Sequence, residues 1–126
     1  MKRRIMIALH EIKEETEAGA YAIDMANEMK ARGYEPWIFA NVIMESPITQ
    51  RAHEGNIKTT DNLHLGIHSL HGEFEAYVAM DEWAKENVPM NIEPKKMITS
   101  DMKKSAAEVA SIVIDKIKKE PKLKDK

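Results

Sequence analysis

The sequence predicts an α/β protein, a three-layer sandwich in which a mostly parallel sheet of four or five strands is covered by helices on both faces. Three observations predict it. Short apolar runs of strand length recur, RIMIALH at 4–10 and WIFANVIM at 37–44, as expected of strands buried on both sides. Between them lie stretches whose apolar residues fall at helical spacing, such as Ala18, Ala22, Met25 and Met29. The two patterns alternate along the chain, and strands alternating with helices build parallel sheets.

Taken in order, Arg4 to His10 is the first strand. Lys13 to Arg32 follows as a helix with Tyr21 and Ile23 beside its apolar stripe, and Gly33 supplies the left-handed residue that ends it. Tyr34 to Met44 is the second strand, with Pro36 tolerated near its start. Glu45 to Thr60 is polar and reads as a loop with a short helix around Thr49 to His53. In LHLGIHSLHGEFEAYVAMDEW, residues 63–83, Leu63, Leu65 and Ile67 alternate with His64, Gly66 and His68, the period of a third strand. From Phe74 onward, Tyr77, Val78 and Ala84 recur at helical spacing, predicting a helix to about Glu86. Val88 to Ile92 and Lys96 to Thr99 are short strand candidates. Ser105 and Glu108 have the spacing of a capping box, and Val109, Val113 and Ile117 continue as an amphipathic helix to about Lys119. Pro121 closes it. The organisation is therefore one domain over 1–120 and a solvated basic tail over 121–126, with flavodoxin-like winding. The expected core contains Ile5, Ile7, Ala22, Met25, Ile38, Phe39, Leu65, Ile67, Phe74, Val78, Val109 and Val113.

Composition narrows the function. The chain has 126 residues, 43% of them apolar and 32% charged, enough for one real core. A formal net charge of -2 argues against general nucleic-acid binding, which needs a basic surface. Without cysteine there is no disulfide, thiol catalysis or thiolate metal site. The apolar runs are far short of a membrane span, so no membrane partner is expected, and cytoplasmic residence is the default.

In parallel α/β sheets, ligands sit beyond the carboxyl ends of the strands. The expected ends are His10-Glu11, Asn41, His68 to Gly72, and Thr99 to Asp101. His64, His68 and His71 have a spacing that suits zinc on a helix, but in strand and turn they are too spread for one ion, so no metal is expected. There is no GxxxxGK[ST] or GxGxxG pattern, and His10-Glu11-Ile12-Lys13-Glu14-Glu15 would repel a pyrophosphate. Ser69 lacks a GxSxG context and reads as a turn residue. Glu75 is predicted in the first turn of its helix. There it is either a surface carboxylate complementing the helix dipole or a reactive group facing the strand ends.

The run Ser69-Leu70-His71-Gly72-Glu73-Phe74-Glu75-Ala76-Tyr77-Val78-Ala79 resembles the nucleoside 2-deoxyribosyltransferases and related nucleotide N-glycosidases. In that family a strand and a glycine-containing turn precede a helix that begins with a catalytic glutamate, roughly S-L-G-x-G-[FY]-E-x-G-x-A. The lead-in Thr60 to Ile67 and the stretch Lys30 to Glu35 are similar too. The loop after the first strand differs: HEIKEE stands where the family carries glycine and serine. The resemblance implies cleavage or transfer at an N-glycosidic bond, with Glu75 as the nucleophile at the anomeric carbon. It further implies a small-molecule nucleoside or nucleotide as substrate and no cofactor.

On that reading His68 or His71 would assist the departing base. His10, Asn41 and Gly72 would bind substrate. Asp61, placed before the third strand, would lie at the opposite end of the sheet and take no part. Two alternatives stay open: a TIR-like glycohydrolase acting on NAD, and a non-enzymatic module that binds a partner or regulates one. Trp37, Tyr77, Trp83 and nine methionines are many large apolar groups for this length. They suggest a homodimer through the helix from Phe74 to Glu86.

Overall fold

The computed structural model describes residues 3–12, 17–61, 74–87, 97–99 and 103–118. Five strands, β1 (Arg3–Ile12), β2 (Tyr34–Ile43), β3 (Lys58–Thr60), β4 (Phe74–Ala79) and β5 (Met97–Thr99), form one sheet in the order β3-β2-β1-β4-β5. Every pairing is parallel. Among the described residues four helices accompany them: α1 (Glu17–Ala31), α2 (Pro47–Glu54), α3 (Glu82–Asn87) and α4 (Ala106–Lys118). This is the doubly wound, flavodoxin-like sandwich that the alternation predicts. Among the described residues no helix is long and apolar enough to cross a membrane.

The layers follow from strand alternation. Ile5, Ile7 and Leu9 of β1, Ile38 and Ala40 of β2, and Ala76 and Val78 of β4 face one side. There they pack against Ala22, Met25 and Met29 of α1, Ala52 of α2, and Val109, Val113 and Ile117 of α4. Met6 and Ala8, Phe39, and Tyr77 and Ala79 face the other side and pack with Ala84 of α3, flanked by Trp37 and Trp83. Ile5, Ile7, Ala22, Met25, Ile38, Phe39, Val78, Val109 and Val113 are all buried, as expected. Leu65, Ile67 and the side chain of Phe74 lie outside what the structure describes.

Local chemistry sets the helix ends. Gly33, at φ 93°, takes the left-handed position after α1 and donates its N–H to the Lys30 carbonyl at 3.1 Å. Ser46 caps α2: its Oγ accepts from the Thr49 amide and its own amide donates to Thr49 Oγ1, with Pro47 at the first helical position. At the other end of α2, a Cβ on Gly55 would lie 2.5 Å from Oδ1 of the exposed Asn27, the tip of a side chain that would have to turn aside. Ser105 and Glu108 form the expected capping box before α4, each side chain accepting the other residue's amide at 3.2 Å.

Three expectations are corrected. No helix runs from Phe74 to Glu86. Phe74–Ala79 is β4, paired with β1, and α3 begins only at Glu82. A central strand is buried on both faces, so Ala76 to Met80 is continuously apolar and satisfies a helical template as readily as a strand. The dimer helix proposed over that range is therefore absent, and Tyr77, 1% exposed, belongs to the core. The polar stretch before Asp61 holds an unpredicted edge strand, β3, so Asp61 follows a strand and lies at its carboxyl end. The strand expected over 63–68 falls outside the described residues.

Candidate functional site at the carboxyl edge of the sheet

β1 and β4 are neighbours, but the chain leaves them in opposite directions, β1 toward β2 and β4 toward β5. Such a switch point opens a crevice beyond the carboxyl ends of the two strands. The face that carries Met6 and Ala8 ends on β1 with His10. The face that carries Trp37 and Phe39 ends on β2 with Asn41. His10 and Asn41 are both exposed, and they lie between the Leu9–Ala40 and Glu11–Val42 pairs of the ladder.

Asp81, two residues beyond Ala79, joins this edge to α3. Its Oδ1 accepts the Ala84 amide at 2.9 Å, the bond of a helix N-cap. Its Oδ2 accepts the His10 amide at 2.9 Å. The Met80 amide also bonds the Ala8 carbonyl at 2.9 Å, which carries the β1–β4 ladder up to Asp81. With both oxygens holding backbone N–H groups, Asp81 fixes the edge rather than serving as a free base.

α3 places Trp83 over the same corner. The His10 imidazole stacks on the indole, ring centroids 5.2 Å apart and planes 21° from parallel. Phe39 lies on the same indole at 6.1 Å and 24°. The three rings lead from the buried Phe39 through the half-buried Trp83 to the exposed His10. Geometry of this kind is attractive for aromatic pairs.

The opposite, amino edge carries a separate polar group. Glu35 Oε2 accepts the Trp37 indole N–H at 2.7 Å and the Arg4 Nε–H at 2.9 Å, and the Lys58 ammonium sits over the Trp37 ring at 5.2 Å. The Trp37 hydrogen bond, then Arg4 and Lys58, hold the Glu35 carboxyl below the usual range against the opposing effect of burial. A shallow depression of about 130 Å³ lies beside it, lined by Lys30, Tyr34, Glu35, Pro36, Asn56 and Lys58.

Of the residues singled out from the sequence, His10 and Asn41 do meet at the carboxyl edge. His68, His71 and Gly72 lie outside the described residues. Glu75 is not at a helix start. The β1–β4 register passes from Arg4–Phe74 to Ile5–Ala76, so Glu75 is an extra residue at a register shift near the amino end of β4. Level with Ile5, it stands five strand positions from His10, about 17 Å at ~3.3 Å per residue. Asp81 was missed, and Trp83 was expected at a subunit contact rather than at this edge. An aspartate three residues before Ala84 is an N-cap signal, but a helix already begun at Phe74 hides it. Among the described residues no group of three or more histidine or carboxylate side chains could hold a metal ion. Set against protein-family models and against curated proteins, the chain matches none of them.

Proposed function

We propose that this chain binds a nucleoside or nucleotide at the carboxyl edge of its sheet and acts as a cytoplasmic regulatory or accessory module. The observation that carries this reading is the His10–Trp83 stack at the β1–β4 switch point. An exposed imidazole backed by an indole is a platform for a planar base, and base–aromatic stacking contributes ~1–3 kcal/mol per base. Asn41, next to His10 across the ladder, offers both a donor and an acceptor for a base edge or a sugar hydroxyl.

A second reading is cleavage or deoxyribosyl transfer at the N-glycosidic bond through Glu75, or NAD cleavage by an analogous glutamate. The likeness of residues 69–79 to the deoxyribosyltransferase pattern supports it. On this reading Glu75 lies about 17 Å along the strand from His10, and its partners His68 and His71 lie outside the described residues.

Thermal shift against adenosine, thymidine, their monophosphates and NAD tests binding, because a ligand taken only by the native state raises its melting temperature. At 100 times Kd the gain is ~2.7 kcal/mol. Chromatography of the same mixtures for free base tests cleavage. Stabilisation without base release is the expected result, and base release abolished by Glu75→Gln would establish the second reading instead. A homodimer belongs to the same proposal. The exposed apolar side chains that would carry it are Val42 and Met44 at the end of β2 and Ile112 on α4, and light scattering at micromolar concentration checks it.

A further inference from the structure

We infer that the ring platform of His10 and Trp83 prefers a purine base to a pyrimidine, and that Asn41 anchors the edge of the base without choosing among purines. The inference rests on the binding reading above and narrows its ligand class. The stagger of the rings carries it. At the ~3.5 Å spacing of stacked rings, a centroid separation of 5.2 Å leaves the His10 imidazole displaced sideways on the Trp83 indole by about 4 Å. Each ring therefore covers only part of the other. His10 is exposed and Trp83 half-buried, so the surface offered to a ligand begins at the imidazole and continues onto the indole. The single ring of a pyrimidine leaves part of that surface wet, and the fused double ring of a purine covers more of it. The second ring removes roughly 40 Å² more face from water, which at the usual apolar coefficient is about fivefold in Kd.

Contact with the edge of the base falls to Asn41. The ladder sets it beside His10, and neighbouring strands lie about 4.8 Å apart, so its amide reaches the rim of a base lying on the rings. The carboxylates at this end of the sheet are less suited. Asp81 already holds two backbone amides, Glu82 pairs with Lys85 at 3.1 Å, and Glu45 lies 3.7 Å from His53. Glu11 and Asp61, when ionised, can only accept. Asn41 is neutral, exposed and without a hydrogen-bond partner among the described residues. Its amide carries a donor and an acceptor side by side and can turn over to exchange them. Adenine offers an amine beside an accepting ring nitrogen, and hypoxanthine offers a carbonyl beside a ring N–H. The amide pairs with either, so ring overlap, and not the edge, sets the preference.

Isothermal titration of the full chain with adenosine, inosine, cytidine and uridine, which share one sugar, decides the matter. Both purine nucleosides are expected to bind about fivefold tighter than both pyrimidine nucleosides, with adenosine and inosine alike within about twofold. His10→Ala removes the imidazole and keeps the backbone bond to Asp81, and it is expected to narrow the gap to about twofold. Asn41→Ala is expected to weaken all four alike, about fivefold, and to preserve the gap. Pyrimidine nucleosides binding as tightly as purine nucleosides, or a gap unchanged in His10→Ala, would overturn the inference while leaving nucleoside binding in place. A gap lost in Asn41→Ala would overturn it in the same way. No binding of any of the four would overturn both readings.

Discussion

The His10 amide donates to Asp81 Oδ2 at 2.9 Å across 71 positions of sequence. The same carboxylate caps α3 through Ala84, so one side chain closes the β1–β4 ladder and starts the helix that carries Trp83. Asp81→Ala removes both bonds and is expected to cost about 2 kcal/mol, roughly half from the cap and half from the strand bond. Asp81→Asn keeps one acceptor oxygen and should lose about half as much. Urea unfolding with an unchanged slope measures both. An alanine variant as stable as the parent would mean that the two bonds contribute nothing in solution.

Glu35 gives the protein a defined acid sensitivity. Its folded-state carboxyl is held low, first by the Trp37 indole and then by Arg4 and Lys58. A carboxyl with a depressed folded value contributes stability that is complete above the unfolded value, about 4.3. That contribution is lost as pH falls through the folded value. Glu35→Gln should therefore be less stable than the parent at pH 7, with the difference shrinking below about pH 4. Thermal melts across that range test the sign, and a difference that ignores pH would remove Glu35 as its source.

β1 lies in the middle of the sheet, and Ile7 is fully buried on the face that α1 and α4 cover. Ile7→Ala should cost about 2–5 kcal/mol, the lost transfer energy plus a cavity. Ile112, 45% exposed on α4, should tolerate alanine within ~0.5 kcal/mol. Equal effects at the two positions, read from denaturant midpoints, would contradict the layer assignment.

Trp83→Leu and Glu75→Gln separate the two ends of β4. Replacing the indole should weaken adenosine binding at least about fivefold, from the stacking energy of one base, whereas Glu75→Gln should leave Kd within about twofold because some 17 Å of strand intervene. Titration calorimetry reads both. A large loss for Glu75→Gln would move the binding site to the amino end of β4.

The strands most legible in the sequence were β1 and β2, because each is a long apolar run bounded by a clear break, the charged run from Lys13 after β1, and Gly33 before and Pro47 after β2. The capping residues before α4 were equally plain, since Ser105 and Glu108 act on their own neighbours. β4 was read as helix because its burial on both faces erases the two-residue alternation that identifies a strand. β3 escaped notice because Lys58, Thr59 and Thr60 form a short edge whose exposure requires no apolar signal. His10 and Asn41 could be placed from strand ends alone. The part played by Asp81 could not, because its partner on β1 is distant in sequence and only the β1–β4 pairing brings them together.

The strand order also dictates a timetable for the nascent chain. β1, β2 and β3 pair through nearby crossovers, so loop closure there is cheap and half of the sheet can assemble while synthesis continues. His10 and Asn41 are side by side from that moment. Asp81 and Trp83 join them only after β4 has emerged and docked against the far side of β1. A ribosome stalled after β3 would hold a fragment with one wall of the crevice standing and β1 exposed along the edge where β4 belongs. That edge is an open template for a strand of another chain, so the residue pair that completes the site also ends the period in which the growing protein is most prone to join its neighbours.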